Sequence, residues 1–268
     1  MNTALASDGT PIAYESQGDG DIALVLVHGW SCDGSYWEPQ VESLSRDFQV
    51  VTIDLAGHGE SGEDRAVWTI ASFGEDVTAV VNDLELERVV LVGHSMGGDV
   101  ILEAARRLPG RVMGLIWVDV YNRIETPRTS EELESFQVPF RANFVEATRA
   151  FVRGMFPPNS DPALVERVAA DMASAPPEIA LPVMRAAQGF DREIPRALEE
   201  LKLPLVAINP DSPPTDIESM KGHGIEVLLM PGVGHFPMLE SPERFNVVLR
   251  EAIDRVCSPD PARAPRKT

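Results

Sequence analysis

Short apolar runs recur along the chain at 22–27, 50–53, 89–92, 112–118, 205–208 and 227–230, each rich in Val, Ile or Leu and bounded by turn-forming or charged residues. They predict strands. Between most of them the apolar positions return every three or four residues, and the segments 37–44, 70–84, 96–108 and 242–256 fit helices. The last is expected to start at Ser241 as its cap, with Pro242 at the first helical position, where a missing N–H costs nothing. Strands alternating with helices imply a mostly parallel sheet covered on both faces. The rhythm stops after Val120: from 121 to 200 no strand-like run occurs, and helical patterns are interrupted by Pro157-Pro158 and Pro176-Pro177. The pattern therefore divides the chain into an α/β core at 1–120 and 201–257, a helical cap inserted at 121–200, and a tail at 258–268 whose prolines and charges predict disorder.

Composition narrows this picture rather than changing it. At 268 residues with 44% apolar content, the chain is long enough for one large domain with a substantial core. A formal net charge of −19 argues against nucleic acid and anionic membrane surfaces as partners, and is read as a solvated acidic surface. The first nine residues lack a basic start and a long apolar core, so they are not read as a signal peptide, and no run reaches membrane-spanning length. Cys32 and Cys257 lie far apart and show no metal spacing, which argues against a disulfide framework or a zinc site and for a reduced, cytoplasmic protein. Monomer or homodimer is the expected state.

The chemistry gathers at Gly93-His94-Ser95-Met96-Gly97, which follows the apolar run at 89–92 and opens the helical stretch after it. A strand, a sharp turn and a helix with serine at the apex form a nucleophile elbow, in which the flanking glycines let strand and helix approach while the hydroxyl protrudes. Serine needs a base within hydrogen-bond reach and a third group to orient that base. Of the five histidines, His28 and His58 sit in glycine-flanked loops, His94 lies inside the elbow and His223 lies between Gly222 and Gly224. His235, between the last strand and the final helix, stands where a parallel sheet presents its active groups, and is the candidate base.

Taken together, His28-Gly29-Trp30, the loop from Asp54 to Ser61, the elbow and Gly234-His235-Phe236 resemble the α/β-hydrolase superfamily, in its serine esterase, lactonase and haloperoxidase-like branch. The resemblance runs from about Thr10 to Val256. It implies an α/β-hydrolase fold: a mostly parallel eight-stranded sheet flanked by helices, with the cap inserted after strand 6 and the first two strands drawn from the weakly patterned stretch around Leu5 to Ser16. It also implies an oxyanion hole built from the backbone N–H of Trp30 and of Met96, the residue after the nucleophile. By the same match Asp54, His58 and Ser61 shape a loop. Cys32 beside the oxyanion loop has nothing near it in sequence to act as a base, and is read as a packed thiol.

The triad acid has three candidates. Many members of the superfamily carry it after strand 7 in the spacing Ile-x-Gly-x-x-Asp, but here Pro210 replaces the glycine and Pro213 stands at the aspartate, with Asp211 and Asp216 nearby. Other members carry it at the end of strand 6, where this chain has Asp119, in the order Ser95, Asp119, His235; Asp119 is preferred, with Asp216 and Asp211 as alternatives. Serine rather than aspartate at the elbow suits acyl transfer to water, so the expected reaction is hydrolysis of a small carboxylic ester or lactone through an acyl-enzyme, without metal or organic cofactor. Carbon–carbon bond hydrolysis and perhydrolysis would use the same triad. A hormone-receptor-like binding module with little turnover is the alternative of another class. The cap's phenylalanines and methionines suggest an apolar substrate.

Overall fold

The computed structural model describes residues 1–124 and 129–258; the tail expected to be disordered falls, beyond Ser258, outside the described residues. Eight strands form one sheet: β1 (Asn2–Leu5), β2 (Pro11–Gln17), β3 (Ala23–Val27), β4 (Gln49–Ile53), β5 (Val89–His94), β6 (Val112–Val118), β7 (Leu205–Pro210) and β8 (Ile225–Met230), in the spatial order β1-β2-β4-β3-β5-β6-β7-β8. From β4 to β8 every pairing is parallel, whereas β2 runs antiparallel to both β1 and β4. The central strands are parallel because they are apolar on both faces: every residue of β3 and of β5 is buried, which only a sheet covered on both sides allows. β8 at the edge is only partly buried along its length.

Helices α1 (Glu38–Leu44), α2 (Ile70–Asp83) and α3 (Met96–Arg107) lie between the strands of the first half. Five helices, α4 (Ser130–Ala142), α5 (Phe144–Arg153), α6 (Pro162–Met172), α7 (Pro177–Gly189) and α8 (Ile194–Leu201), form an insert between β6 and β7. The insert's helices start on local signals. Thr129 and Glu132 make a reciprocal capping box, Asn143 and Asp161 cap the next two helices, and Pro162 and Pro177 occupy first-turn positions where no N–H is needed. The chain closes with α9 (Ile217–Gly222), α10 (Pro237–Glu240) and α11 (Pro242–Cys257), the last packed against β6, β7 and β8. Among the described residues no helix is long and apolar enough to cross a membrane.

Two expectations need correction. β1 starts at Asn2, ahead of the stretch expected to supply it. Ser241 does precede α11, but its side chain makes no capping bond. Its N–H closes the preceding turn on the Pro237 carbonyl and its carbonyl accepts from Phe245 N–H, so the residue ends α10 and starts α11 through its backbone alone.

The topology sets where a site can form. The chain leaves β3 toward β4 on one side and leaves β5 toward β6 on the other, so the loops diverge above the carboxyl ends of β3 and β5 and open a crevice there. Strand β5 and helix α3 meet so tightly that no side chain fits at the two glycines flanking the turn. A Cβ on Gly93 would stand 2.3 Å from the Gly97 carbonyl oxygen, and one on Gly97 would stand 2.4 Å from that of Val27. Gly97→Ala is expected to lower the unfolding free energy by about 3 kcal/mol or more, because backbone rather than a flexible side chain must give way. Gly189→Ala, with nothing within 4 Å of the added methyl, should stay within about 1 kcal/mol of wild type. Urea midpoints measured side by side check both.

Candidate active site

Ser95 sits between β5 and α3 with φ 52° and ψ −123°. A left-handed φ is costly for a residue with a side chain. Among the described residues five non-glycines share it, and three of them, Ser31, Ser95 and Asp119, follow the carboxyl ends of β3, β5 and β6. Ladder bonds carry two of these residues past the strand ends: Ser95 N–H donates to the Val118 carbonyl at 3.0 Å, and Asp119 N–H to that of Ile208 at 2.9 Å. Strain is thus concentrated at the crevice that the topology opens.

Asp119 and His235 meet directly. The imidazole Nδ1 of His235 lies 2.7 Å from Asp119 Oδ2, with both side chains mostly buried at 18% and 13% exposure. Asp211 and Asp216 are engaged elsewhere. Asp211 accepts the Gly232 N–H at 3.1 Å, and Asp216 caps α9 by accepting the Ser219 N–H at 3.0 Å while Arg123 approaches its other oxygen at 3.9 Å. Ser95, His235, Gly29, Trp30 and Met96 all line one cavity of about 590 Å³.

The loop after β3 is held by a histidine. Leu55 N–H donates to His28 Nε2 at 3.0 Å, which leaves the ring proton on Nδ1, and that proton is donated to the Gly29 carbonyl at 2.8 Å. Because a trans peptide directs its C=O and N–H oppositely, fixing the Gly29 carbonyl also fixes the Trp30 N–H, pointing the other way. Gly29 lies against the elbow, where a Cβ would come within 3.1 Å of both His94 Nδ1 and Ser95 Cβ. Met96 N–H is the first amide of α3, one of those that a helix start leaves without an intrahelical acceptor and with the positive end of the helix dipole behind them.

The residues expected to shape the following loop do so. Asp54 accepts from Gly34 N–H at 2.8 Å and Glu60 N–H at 2.9 Å, while Ser61 accepts from Ala13 N–H and donates to the Asp54 carbonyl. Cys32 lines the cavity, but burial pushes its thiol well up, so it is held as a neutral thiol.

The insert supplies the opposite wall through Phe136, Phe151, Met155, Met172 and Met184, whereas Phe140, Phe144, Phe156 and Phe190 are buried in the apolar core. It is tied to the site loops by hydrogen bonds. Trp30 Nε1–H donates to the Ala180 carbonyl at 2.8 Å, Tyr36 OH to Asp171 at 2.6 Å, and His235 N–H to the Met155 carbonyl at 3.1 Å. Three groups at the site lay outside the sequence reading: Asp99 and Tyr121, bonded to each other at 3.0 Å and facing the cavity, and Glu240, which accepts backbone N–H groups beside His235. Burial pushes the Glu240 carboxyl up, opposed by the N–H groups of Gly234 and Phe236. Only the acidic position five residues after His235 could have drawn attention to it.

Comparison with known proteins adds independent findings. Residues 24–248 match the profile described as Alpha/beta hydrolase family. A thermophilic esterase from Thermogutta terrifontis superposes with a TM-score of 0.80 at 27% identity, over 96% of this chain and 99% of its own. A bromoperoxidase from Bacillus anthracis superposes with a TM-score of 0.82 at 23% identity, over 94% of this chain and all of its own, and speaks to fold alone. A pimeloyl-[acyl-carrier protein] methyl ester esterase from Aliivibrio salmonicida is 38% identical over 109 residues, 41% of this chain and 40% of that protein. The chain spans about 40% of the length of such curated relatives.

The buried rings near the site have a measurable consequence. Burial lowers His28 to about 4, and burial together with the adjacent His28 lowers His58 to about 3. The unfolded chain binds these protons near 6.5, so their contribution to stability is complete above that pH and declines as pH falls toward 4. Each ring should contribute a slope of up to about 1.4 kcal/mol per pH unit. Asp76, pushed up to about 6 by its burial, works in the opposite sense below that pH. The informative comparison is therefore between variants: urea unfolding of His58→Asn should lose stability between pH 6.5 and 4 less steeply than wild type. Equal slopes would mean that His58 is not held neutral.

Proposed function

The chain belongs to the alpha/beta hydrolase family, and within it we propose a serine hydrolase that cleaves a small carboxylic ester or lactone. The observation that carries this reading is the 2.7 Å contact between His235 Nδ1 and Asp119 Oδ2, in a cavity that His235 shares with a serine at a strained elbow. The full-length likeness to an esterase at 27% identity supports it.

In this reading His235 Nε2 takes the Ser95 hydroxyl proton as Oγ attacks the carbonyl carbon. Asp119 stays ionised, holds the proton on Nδ1 and stabilises the imidazolium. The negative charge that develops on the carbonyl oxygen is met by the N–H groups of Trp30 and Met96, each worth about 10²–10³ in rate. His235 then returns its proton to the departing alcohol or, in a lactone, to the alkoxide that stays tethered to the acyl group. A water activated by the same imidazole releases the acid and restores Ser95. The apolar wall of Phe136, Phe151 and three methionines suits an aliphatic or aromatic acyl group. A histidine oriented by a largely buried carboxylate, in one cavity with a strained serine, argues against a binding module with little turnover.

Ser95→Ala is expected to abolish turnover of p-nitrophenyl butyrate while remaining folded. Asp119→Asn should lower kcat by about 10³–10⁴, and Asp216→Asn should change it by less than about threefold. Near-normal turnover in Asp119→Asn with collapse in Asp216→Asn would move the acid to the loop after β7. Folded wild type without turnover on any simple ester or lactone would overturn the reading itself.

A further inference from the structure

The segment 231–236 that presents His235 has neither strand nor helix to hold it. Around the histidine its backbone is instead secured by three groups, Glu240, Met155 and His94. Gly234 N–H donates to both carboxylate oxygens of Glu240, at 2.9 and 3.0 Å, and Phe236 N–H donates to Glu240 Oε1 at 3.1 Å. The His235 N–H donates to the Met155 carbonyl, and its carbonyl accepts the Nε2 proton of His94 at 2.7 Å. Glu240 thus grips the peptide groups on both sides of the histidine. It also accepts the Ser160 hydroxyl at 3.3 Å from the connection between α5 and α6.

We infer that Glu240 is a positioning residue for His235: its carboxylate fixes the loop so that the imidazole stays aligned with Asp119. For its effect on rate the inference rests on the hydrolase reading above. The chemistry of the site asks for a carboxylate rather than an amide. Two backbone N–H groups and a hydroxyl converge on two oxygens, and a carboxylate offers about four acceptor sites and no hydrogen. A glutamine would turn an NH₂ toward the Gly234 N–H, which already spans both oxygens. There is little room for the loop to adjust, since a Cβ on Gly234 would stand 2.3 Å from the Met155 carbonyl oxygen and 3.2 Å from Glu240 Oε1.

The test compares wild type, Glu240→Gln, Glu240→Asp and Ser160→Ala, each checked for cooperative thermal unfolding. Two readouts are taken: kcat and KM on p-nitrophenyl butyrate, and the low-field proton resonance of the His235 Nδ1–H, assigned by its loss in Asp119→Asn. Glu240→Gln is expected to lower kcat by about 10- to 100-fold with KM within about threefold, since a small displacement of a reacting group costs rate rather than binding. Its ring proton should broaden or shift. Ser160→Ala, which loses only the link to the insert, should keep the ring resonance and most of kcat. Wild-type kcat with an unmoved resonance in folded Glu240→Gln overturns the inference, as does a loss of kcat no larger than the loss of folded protein. If Glu240→Gln fails to fold, Glu240→Asp decides, because its carboxylate is one methylene short of the loop: a reduced kcat with a shifted resonance supports the inference, and wild-type values overturn it. Absence of turnover in every protein, wild type included, defeats the hydrolase reading, and the resonance alone then decides the role of Glu240.

Discussion

The site depends on one close approach, where the end of β5 and the start of α3 pass over the end of β3 with no space for a side chain. A Cβ on Gly93 would meet the Gly97 carbonyl at 2.3 Å, and one on Gly97 would meet the carbonyls of Val27 at 2.4 Å and His28 at 2.6 Å. With both flanks closed, the chain must reverse at Ser95, and it does so at a φ of 52°. Such a conformation persists only where its surroundings over-determine it. Here those surroundings are β5 before the turn, the buried first turns of α3 after it, and β3 paired alongside β5, all three buried. The same approach brings Gly29 against Ser95, so Ser95 and the loop that carries Gly29 and Trp30 share one contact rather than being positioned separately.

The insert is part of this construction and not a cover laid over a finished site. Its hydrogen bonds reach Trp30 beside the elbow, Tyr36 behind that loop and His235 itself. The first and last of these join an insert residue directly to a loop that carries a candidate catalytic group. Displacement of the insert would therefore disturb those loops as well as the cavity wall. Three of the insert's methionines line the cavity, and a flexible thioether chain fills irregular space around ligands of differing shape.

Much of this was legible in the sequence because the groups concerned follow strong strand signals. Asp119 directly follows the apolar run at 112–118, Ser95 stands three positions past the run at 89–92 and His235 five positions past the last of them, so the carboxyl edge of the sheet could be located before any side chain was placed. β1 and β2 were harder to see, since neither is a continuous apolar run, and only the family resemblance called for them. α9 and α10 are six and four residues long, too short for a helical period to declare itself. The insert's aromatic residues could not be sorted either. Phe136 and Phe140 stack on each other within α4, yet only Phe136 reaches the cavity, a difference set by how the helices pack and not by their spacing. Glu240 acts on backbone N–H groups, which every sequence supplies, so its partners leave no trace in residue identity.

The placement of the proposed acid on β6 rather than β7 has a physical counterpart in what the β7 loop does instead. Asn209, at the end of β7, donates to the Tyr121 carbonyl at 2.9 Å and to Thr215 Oγ1 at 3.0 Å. Asp216 N–H donates to the Asn122 carbonyl at 2.9 Å, and Asn122 Nδ2 reaches the Pro213 carbonyl at 3.4 Å. The two loops are therefore laced together just beyond Asp119, whose φ of 46° turns the chain sharply out of β6. Pro210 and Pro213 remove two backbone donors from the β7 loop and restrict its shape, which suits a brace better than a segment that must aim a carboxylate. Asp211 and Asp216 are consumed in holding Gly232 and α9. With the β7 loop serving as support, the strain at Asp119 can be sustained, and a carboxylate at the end of β6 reaches His235 Nδ1 at hydrogen-bonding distance.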